Sequence, residues 1–392
     1  MAKKVRIAFY FELHDKAQYA AFQYLKTMIA SIGLMKLKSN VELVIIYSGL
    51  IKREDFSDLN FPSLKFYNAV DVYGNIFKRA VNKVFRVLFK NNLFPFVDQN
   101  FPVDVDAIFP CPLRDEIKPI RRKIFWKPDF QEKYYPEYFS YSETADFDKG
   151  FRRITDESKH ILVLSSENAK HDLEFFFKEF KCELKVIPFI VFIPDEVLDI
   201  QVTKEEMILS EFGIKPYSYY IISNQFWPHK NHKLVLESIE LLGSDMKDVK
   251  FVFTGQTSTN RSVKIFEEIQ KMVTELNIQD RILFTGFIDK KTQLILLKNS
   301  LGVIQPSLFE GWNTTIEEAK ALNKFVICSD IEVHKEQISE NVLFFERHSA
   351  VDLKDKLLFH HLKKTQIKKI DYNINIAEYQ KKIMELFCLD QI

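Results

Sequence analysis

Two carboxylates flank a predicted helix start within residues 305–322. Glu310 lies in a loop after a short apolar strand, and Glu318 lies a full turn inside a helix that we expect to begin near Asn313 or Thr314. Free backbone N–H groups at a helix start, together with the helix dipole, form a natural seat for a diphosphate. One carboxylate on either side of that seat predicts binding of hydroxyl groups at both ends of a diphosphate, a sugar at Glu310 and a ribose at Glu318.

Glu317, between these two positions, has a structural interpretation. Thr314 and Glu317 stand at capping-box spacing, so we expect Glu317 to act as an N3 residue that satisfies the helix start. Glu318 has no such explanation and stays a candidate for ligand binding.

The elements that must position these residues follow an alternating pattern. Short apolar runs of strand length alternate with longer amphipathic stretches along the chain, which indicates βαβ units and parallel sheets. The predicted strands are 5–11, 41–47, 107–109, 124–126 and 161–164 in the first half, and 219–223, 249–255, 281–286, 302–306 and 325–330 in the second. The predicted helices of the second half include 234–242 and 263–276.

The pattern restarts after a segment that contains two prolines, Pro188 and Pro194, and we place the domain boundary there. The fold class is α/β, with Rossmann-like domains at 1–194 and 195–370. We expect the C-terminal helix, within 371–392, to pack back on the first domain. Open α/β sheets bind ligands at the carboxyl ends of their strands, so the cleft between the domains is the expected site.

The composition, net charge and cysteine spacing of the chain exclude several kinds of protein. The chain has 392 residues, of which 46% are hydrophobic, and a formal net charge of +1. This balance gives no reason to expect a nucleic-acid partner. Four cysteines lie far apart without a CxxC pair, which fits a reducing, cytoplasmic compartment and argues against disulfides and structural zinc. No apolar run reaches the ~18 residues that a membrane-spanning helix needs.

Several motifs together carry a family resemblance. Glu310 and Glu318, separated by seven residues and set between Pro-Ser-Leu-Phe and Ala-Lys-Ala-Leu, resemble the Glu-x7-Glu signature of glycosyltransferase family 4, a retaining family of the GT-B fold. The resemblance extends, in the expected order, to residues 223–232, 253–255, 284–287 and 329–337. Residues 126–131 and 134–139 are similar to a bacterial subgroup that assembles cell-surface polysaccharides.

The resemblance implies a nucleotide-diphosphate sugar as donor substrate, no cofactor and no metal. Lys230 would neutralise the departing diphosphate, Glu310 would hold the transferred sugar, and Glu318 would hold the ribose. Backbone amides around Thr314 and Thr315 would seat the distal phosphate. The other implied donor-binding residues are Gln225, Gly311, Trp312 and Asn313. A phosphate oxygen would act as the base, and the acceptor would be a glycan or a lipid-linked glycan.

Three departures from the family pattern affect these roles. Gln225 stands where many members have an arginine. Pro128 and Asp129 stand where others have His-Asp, so Asp129 and Gln131 are the nearest replacements for a catalytic, acceptor-side histidine. Ala20 and Ala21 replace a glycine pair in the first loop, which prevents the closest approach of backbone to ligand.

Other short motifs favour structural interpretations. His229 and His232 have HxxH spacing but no third ligand, so a metal site is not expected. The Asp-x-Asp pairs at 104–106 and 146–148 match a metal- and nucleotide-binding pattern that is short enough to arise by chance. The glycines permit neither a GxGxxG dinucleotide fingerprint nor a P-loop, which excludes the usual dehydrogenase and kinase classes.

Residues 76–90 contain five basic residues and no acidic one. Phe77, Val81, Val84 and Leu88 fall on one helical face, and Arg79, Lys83, Arg86 and Lys90 fall on the other. Such a helix could lie on the anionic inner face of the cytoplasmic membrane as a peripheral contact. The same pattern is expected equally of a helix that packs its apolar face into the protein and exposes its basic face to solvent.

The resulting functional hypothesis is glycosyl transfer to a growing surface glycan. A GT-B nucleotide-sugar epimerase and an inactive, donor-binding or membrane-docked partner subunit are the alternatives. Gln225 and the missing histidine motivate the second of these.

Overall fold

The computed structural model describes residues 4–13, 19–35, 40–59, 61, 63–69, 76–89, 93, 105–112, 120–139, 141–257, 262–363 and 365–391. The chain forms two compact units. Unit 1 comprises Met1–Pro188 and Ile374–Ile392, and unit 2 comprises Phe189–Asn373.

Unit 1 is built on a parallel sheet of seven strands in the order β3-β2-β1-β4-β5-β6-β7. The strands are β1 (Val5–Leu13), β2 (Val41–Gly49), β3 (Leu64–Asn68), β4 (Ala107–Phe109), β5 (Arg122–Lys127), β6 (His160–Leu164) and β7 (Glu183–Val186). The described helices in the first segment of this unit, Met1–Pro188, are α1 (Tyr19–Leu34), α2 (Ile76–Phe89), α3 (Gln131–Tyr134), α4 (Tyr141–Thr155) and α5 (Glu167–Phe176).

Unit 2 is built on a parallel sheet of six strands in the order β10-β9-β8-β11-β12-β13. The strands are β8 (Tyr219–Ser223), β9 (Lys250–Thr254), β10 (Ile282–Gly286), β11 (Gly302–Gln305), β12 (Val326–Ser329) and β13 (Val342–Phe345). The helices, in chain order, are α6 (Asp195–Leu198), α7 (Val202–Glu211), α8 (His232–Leu241), α9 (Ser262–Glu275), α10 (Lys290–Lys298), α11 (Thr314–Ala321), α12 (Glu332–Gln337) and α13 (Ala350–Lys363).

Strand β8 shows why these apolar runs form a two-sided sheet. Tyr220 and Ile222 belong to one buried cluster, whereas Tyr219 and Ile221 belong to another. Successive side chains of a strand point to opposite faces, and a parallel sheet covered by helices on both faces needs apolar residues at every position. The continuous run Tyr-Tyr-Ile-Ile therefore encodes a central strand.

The last helix, α14 (Asn373–Phe387), contributes to the core of unit 1. Phe387 is buried, and its ring centroid lies 5.7 Å from that of Phe9 on β1 and 6.5 Å from that of Phe109 on β4. The end of the chain thus packs against the central strands of the first sheet.

The prediction of two Rossmann-like α/β domains is confirmed, and every strand predicted from an apolar run is present. Three strands escaped the sequence analysis, β3, β7 and β13, and each lies at an edge of its sheet. Their residues are mostly half-buried. Polar residues interrupt β3 (LKFYN) and β7 (ELKV), as a partly solvated edge strand allows. Strand β13 (VLFF) is an unbroken apolar run, so partial solvation does not explain why it was missed.

Within the part of the chain that the structure describes, no helix is long and apolar enough to cross a membrane.

Candidate active site

The predicted donor residues cluster where the strand order of the second sheet reverses. The chain runs outward from β8 to β9 on one side and from β11 to β12 on the other, so the strand order reverses between β8 and β11. Open α/β sheets bind ligands at the carboxyl ends of the strands at such a point. The Nδ2 of Asn224, just after β8, donates a hydrogen bond of 2.8 Å to the Oε1 of Gln305, the last residue of β11. The loops that follow these two strand ends carry Lys230 and Glu310.

Helix α11 begins at Thr314, with Asn313 as its N-cap. The side chain of Asn313 accepts a 3.0 Å hydrogen bond from the N–H of Ile316. The helix start is therefore where the sequence placed it, but the capping box with Glu317 is wrong. Because Asn313 itself is the cap, Glu317 falls one position beyond N3, and its carboxylate bonds elsewhere.

Gln337, at the end of α12, fixes the main chain of that cap. The N–H of Asn313 donates to Oε1 of Gln337 at 3.1 Å, and Nε2 of Gln337 donates to the carbonyl oxygen of Asn313 at 2.7 Å. With the N–H groups of Asn313 and Ile316 occupied, the amides of Thr314 and Thr315 are the helix-start donors without a partner among the described residues. These two N–H groups are the ones that can bind an anion.

The carboxylate of Glu317 holds the residues around the start of helix α11 through four hydrogen bonds. Its Oε1 accepts hydrogen bonds from Trp312 (3.2 Å), Lys320 (3.0 Å) and Gln337 (2.9 Å), and its Oε2 accepts one of 2.6 Å from the hydroxyl of Tyr372. The carboxylate is buried. Glu317 thus acts structurally, as expected, but through long-range partners that the local spacing does not reveal.

Glu310 receives three donors on a single oxygen. Its Oε1 lies 2.6 Å from Nζ of Lys230, 2.6 Å from Oγ of Ser307 and 2.9 Å from Nδ2 of Asn313. Among the described residues, no donor contacts Oε2. The glutamate side chain is 8% exposed and that of Lys230 is 16% exposed. Glu310 therefore holds the lysine close to the helix start and keeps one oxygen available for a ligand.

The Lys230 ammonium also keeps the carboxyl group of Glu310 deprotonated. Burial by itself would raise the pKa of this carboxyl, but the adjacent Lys230 ammonium outweighs burial, and the pKa lies below its ordinary value. Glu310 and Lys230 therefore form an ion pair at neutral pH. A paired ammonium still has two further N–H groups to offer to a ligand.

Lys230 ends a 3-10 turn, Pro228–Lys230, in the loop after β8. Asn231 follows in the left-handed conformation with φ 53°, which asparagine tolerates better than most residues. The carbonyl oxygen of His229 accepts a 2.8 Å hydrogen bond from the N–H of Leu308. This backbone bond ties the Lys230 loop to the Glu310 loop, so the two charged groups are positioned together.

Glu318 is the fifth residue of α11, and its side chain is 1% exposed. Lys290, at the start of α10, forms a salt bridge with its Oε1. Gln293 donates to its Oε2 at 2.9 Å and to the Oγ of Ser223 at 2.9 Å. Lys290 and Gln293 were not predicted from the sequence, although their place in the first turns after a parallel strand marks them as residues of the ligand-binding edge.

Three other predicted donor residues, Gln225, Gly311 and Trp312, lie in the same loops, and Thr315 lies in the first turn of α11. Gln225 is half-buried, and its carbonyl oxygen accepts a 2.9 Å bond from the N–H of Trp227. Gly311 is buried, and Trp312 is half-buried with its ring N–H on Glu317. Thr315 donates through its hydroxyl to the carbonyl oxygen of Ser223 at 3.1 Å, which fastens α11 to the end of β8.

The predicted acceptor-side residues belong to unit 1. Asp129 follows β5, and its Oδ1 accepts a 3.1 Å hydrogen bond from the N–H of Gln131, the first residue of α3. Both side chains are half-buried at the carboxyl edge of the first sheet. Their catalytic and acceptor roles stay predictions, as do the ligand roles assigned to the unit 2 residues.

The histidines near the site pack as core residues. His334 is fully buried, and burial lowers its pKa to about 4. Its Nδ1 lies 3.0 Å from the carbonyl oxygen of Ser329. His232 is buried and stacks on Phe226 with ring centroids 4.7 Å apart.

The Asp-x-Asp pairs have structural partners where they are described. Oδ2 of Asp106 accepts a 3.0 Å bond from the N–H of Arg6, and Asp148 forms a 2.7 Å salt bridge with Lys133. Asp104 and the side chain of Asp146 lie outside the described residues.

Residues 206–374 match the family Glycosyl transferases group 1. This range contains Lys230, Glu310 and Glu318. The resemblance inferred from the motifs is thereby confirmed for the second unit.

Among curated proteins, the chain is similar to the O-antigen chain mannosyltransferase RfbU of Salmonella typhimurium, with 24% identity over 234 residues that cover 60% of this chain and 59% of RfbU. It is 22% identical over 180 residues to an uncharacterized glycosyltransferase of Methanocaldococcus jannaschii, with coverage of 45% and 41%, respectively. The chain therefore matches about half the length of these curated relatives.

Among solved structures, Anabaena Alr3699/HepE in complex with UDP-glucose is similar over 99% of this chain and 100% of HepE, with a TM-score of 0.68 and 12% identity. At this identity the likeness shows the fold. The GT-B fold expected from the sequence is confirmed, and the cleft expected between its domains stays a prediction.

Proposed function

We propose that this chain, whose second unit carries a group 1 glycosyl transferase domain, is a retaining glycosyltransferase. It moves a sugar from a nucleotide-diphosphate sugar to a glycan or lipid-linked glycan during cell-surface polysaccharide synthesis. One observation carries the proposal: Lys230 and Asn313, the cap of helix α11, bond to the same oxygen of Glu310. A cation, a carboxylate and two helix-start amides that have no partner among the described residues therefore lie together at one strand switch point.

The arrangement suits a diphosphate that becomes a leaving group. The amides of Thr314 and Thr315 bind the phosphate farther from the sugar, and Lys230 directs its two remaining N–H groups to the oxygens that gain negative charge. Lys230 keeps its bond to Glu310 throughout, so the ammonium does not have to move as charge develops. Stabilisation that grows in the transition state is what accelerates the reaction.

The two carboxylates hold the ends of the donor. Oε2 of Glu310 accepts hydrogen bonds from hydroxyls of the transferred sugar. Glu318 accepts from the ribose, and because its side chain is 1% exposed, the ribose reaches it once Lys290, which is 54% exposed, moves off Oε1. Gln293 can stay in place, since each carboxylate oxygen accepts two hydrogen bonds.

Transfer breaks the bond between the anomeric carbon and the diphosphate oxygen, which leaves with the electron pair. The acceptor hydroxyl forms the new bond on the face that the diphosphate vacates, and its proton passes to a phosphate oxygen. This sequence gives retention of configuration and requires neither a metal nor a side-chain base. In this proposal Asp129 and Gln131 orient the acceptor.

RfbU supports the choice of a surface glycan, since its name describes an O-antigen chain mannosyltransferase. HepE supports a nucleotide-sugar donor, since it was solved with UDP-glucose. Both properties are those of the relatives and enter here as grounds for the proposal.

Helix α2 supports contact with a membrane. Phe77, Val84 and Leu88, on its apolar face, are 70%, 58% and 66% exposed, and Lys78 and Lys83 are exposed as well. Exposed apolar side chains do not fit a helix that packs its apolar face into the protein. We therefore propose that α2 lies on an anionic membrane at the cytoplasmic side, near a lipid-linked acceptor.

A panel of nucleotide diphosphates and their sugars in a thermal-shift assay tests donor binding, because a ligand that binds the folded state raises its apparent stability. We expect one base to stabilise the protein and Lys230→Met to abolish the effect. Turnover with lipid extract then tests the reaction. Donor binding without release of nucleotide diphosphate would indicate a partner subunit, and release of an epimerised sugar would indicate an epimerase.

A further inference from the structure

Tyr372 is the next-to-last residue of unit 2, and its side chain is buried. Its hydroxyl donates a 2.6 Å hydrogen bond to Oε2 of Glu317 and accepts one of 3.2 Å from the N–H of Val191. Val191 is the third residue after the chain enters unit 2 at Phe189. A single hydroxyl therefore connects the first residues of unit 2, its last residues and helix α11.

The main chain that precedes Tyr372 is fastened to unit 2 by two asparagine side chains. The amide of Asn341 exchanges two hydrogen bonds of 2.8 Å with the main chain of Lys368. The amide of Asn323, just past the end of α11, exchanges two hydrogen bonds of 2.5 Å and 3.3 Å with the main chain of Ile370. Because each amide both donates to and accepts from one residue, the Tyr372 ring extends from a main chain that is held in place.

The carboxylate of Glu317 connects Tyr372 to the start of α11. Its Oε1 accepts from Nε2 of Gln337 at 2.9 Å, and the same Nε2 donates to the carbonyl oxygen of Asn313 at 2.7 Å. Oε1 also accepts a 3.2 Å bond from the ring N–H of Trp312, the residue before the cap. The orientation of this one carboxylate therefore affects both the cap of α11 and the residue that precedes it.

Tyr372 and Lys320 bond to different oxygens of that carboxylate. The Lys320 ammonium lies 3.0 Å from Oε1 of Glu317, whereas the Tyr372 hydroxyl is the donor to Oε2 among the described residues. Burial raises the pKa of Tyr372, so its hydroxyl keeps the proton that it donates. Without this donor, a buried carboxylate oxygen would lack a hydrogen bond, and rotation toward the ammonium would be the way to recover one.

We propose that Tyr372 is a positioning residue for the diphosphate of the donor. Its hydroxyl fixes the carboxylate of Glu317, which in turn holds Gln337 against the cap of α11. The amides of Thr314 and Thr315 are thereby held in the position that binds phosphate. The inference rests on the proposed function for the identity of the ligand, and Tyr372 itself does not contact that ligand.

Two tyrosines of unit 2 give a matched pair of variants. Tyr372→Phe removes the hydroxyl and keeps the ring. Tyr220→Phe makes the same change at a buried residue whose hydroxyl lies 2.7 Å from Nδ1 of His360 on α13. Each variant loses a buried hydroxyl group and its hydrogen bonding, so each should unfold at a lower urea concentration than the parent. Far-ultraviolet circular dichroism verifies that both fold.

The probes separate the diphosphate from the rest of the nucleotide. UDP, GDP, ADP, CDP and dTDP are titrated into the parent protein by calorimetry, and the one that binds most tightly is kept together with its nucleoside. The nucleoside has the base and the ribose but no phosphate, so it does not use the amides of Thr314 and Thr315. Its Kd is measured by ligand-observed NMR.

We expect Tyr372→Phe to raise the Kd of the nucleoside diphosphate about tenfold, which corresponds to the lower end of the free energy of a hydrogen bond to a charged group. The Kd of the nucleoside should stay as in the parent. Tyr220→Phe should change neither value. A loss of stability alone does not alter the ratio of the two Kd values in a folded protein, so this ratio reports positioning.

A double variant tests whether Tyr372 acts through Gln337. Substitutions within one hydrogen-bond network are not additive, whereas independent substitutions are. Tyr372→Phe combined with Gln337→Leu should therefore bind the nucleoside diphosphate about as tightly as Gln337→Leu alone.

An unchanged Kd for the nucleoside diphosphate in folded Tyr372→Phe would overturn the inference. An equal loss for the nucleoside would overturn it as well, and so would losses that multiply in the double variant. If the parent bound none of the five diphosphates, the proposed donor site and this inference would fail together. Binding needs neither acceptor nor turnover, so absent glycosyl transfer with intact diphosphate binding would contradict the proposed reaction alone.

Discussion

Gln337 bonds to both main-chain polar groups of Asn313, at 3.1 Å and 2.7 Å, although 24 residues separate them in sequence. Asn313 caps the helix whose first amides are the proposed phosphate seat. The precision of that seat therefore depends on a side chain that makes no contact with the proposed ligand.

Replacing Gln337 by leucine should lower both stability and donor affinity. The change leaves the buried N–H of Asn313 without a partner and removes the shorter of the two hydrogen bonds to its C=O, which still accepts from the N–H of Glu317 at 3.3 Å. A buried unsatisfied group costs about 1–3 kcal/mol of unfolding free energy. Urea unfolding and calorimetric titration of the preferred nucleotide diphosphate measure the two effects. Lys335→Ala on the same helix removes an exposed pair with Glu332 and should change neither quantity. Unchanged affinity in a folded Gln337→Leu protein would contradict the positioning role.

Lys230→Met should reduce kcat/KM for transfer by about 10²–10³-fold, the loss seen when one preorganised group of the transition state is removed. A matched control is Lys233→Met, three residues further along, whose ammonium pairs with Glu268 and is 51% exposed. We expect the control to retain full activity. Similar kinetics for the two variants would show that Lys230 does not touch the leaving group.

Acid should destabilise unit 2 in part through His334. Burial lowers its folded-state pKa from 6.5 to about 4, so between these values the unfolded state binds more protons than the folded state. Stability contributed in this way is present above pH 6.5 and is lost as the pH falls toward 4. Glu310, with a depressed pKa, adds a loss in the same direction at lower pH.

The measurement for His334 is the unfolding free energy as a function of pH. His334→Gln should reduce the slope over this interval, and the exposed His348→Gln should leave it as it is in the parent protein. An unaltered slope in His334→Gln would show that another group causes the acid sensitivity.

Gly255→Ala should destabilise unit 2 strongly. A Cβ at this position would lie 2.1 Å from the carbonyl oxygen of Asn224, and the glycine has a φ of +155°. Gly243→Ala is the control, because that glycine has a φ of +51° and no atom within 4 Å of the added Cβ. We expect the control to lose about 1 kcal/mol from left-handed strain alone and Gly255→Ala to lose more in thermal or urea unfolding. Equal losses would refute the close approach.

The membrane proposal predicts that Phe77→Glu and Leu88→Glu each weaken binding to vesicles that contain anionic lipid. Removing a large apolar side chain from the bilayer boundary costs about 1.5–3 kcal/mol, so sedimentation with vesicles should show about tenfold weaker partitioning or more. Phe287→Glu, on a residue of unit 2 that is 75% exposed, should bind as the parent does. Binding that depends on all three positions alike would argue against a specific role for α2.

The sequence by itself determined the central strands, the order of the motifs and the start of helix α11. These features are encoded locally, since a fully buried strand needs an unbroken apolar run and a helix start needs a capping residue such as Asn313. Strands β3 and β7 were missed because solvent covers part of each and polar residues interrupt their apolar runs, whereas β13 was missed although its run VLFF is unbroken.

Only the tertiary structure decided which groups surround the three glutamates. Glu317 appeared to be a capping residue, yet it bonds to Gln337 and Tyr372, and Glu318 bonds to Lys290 and Gln293. The solvent exposure of the apolar face of α2 and a cavity at the end of β1 are likewise features that only the tertiary structure shows. Partners that lie tens of residues away meet because the packing of helices against a sheet brings them together, and neither periodicity nor spacing along the chain records that packing.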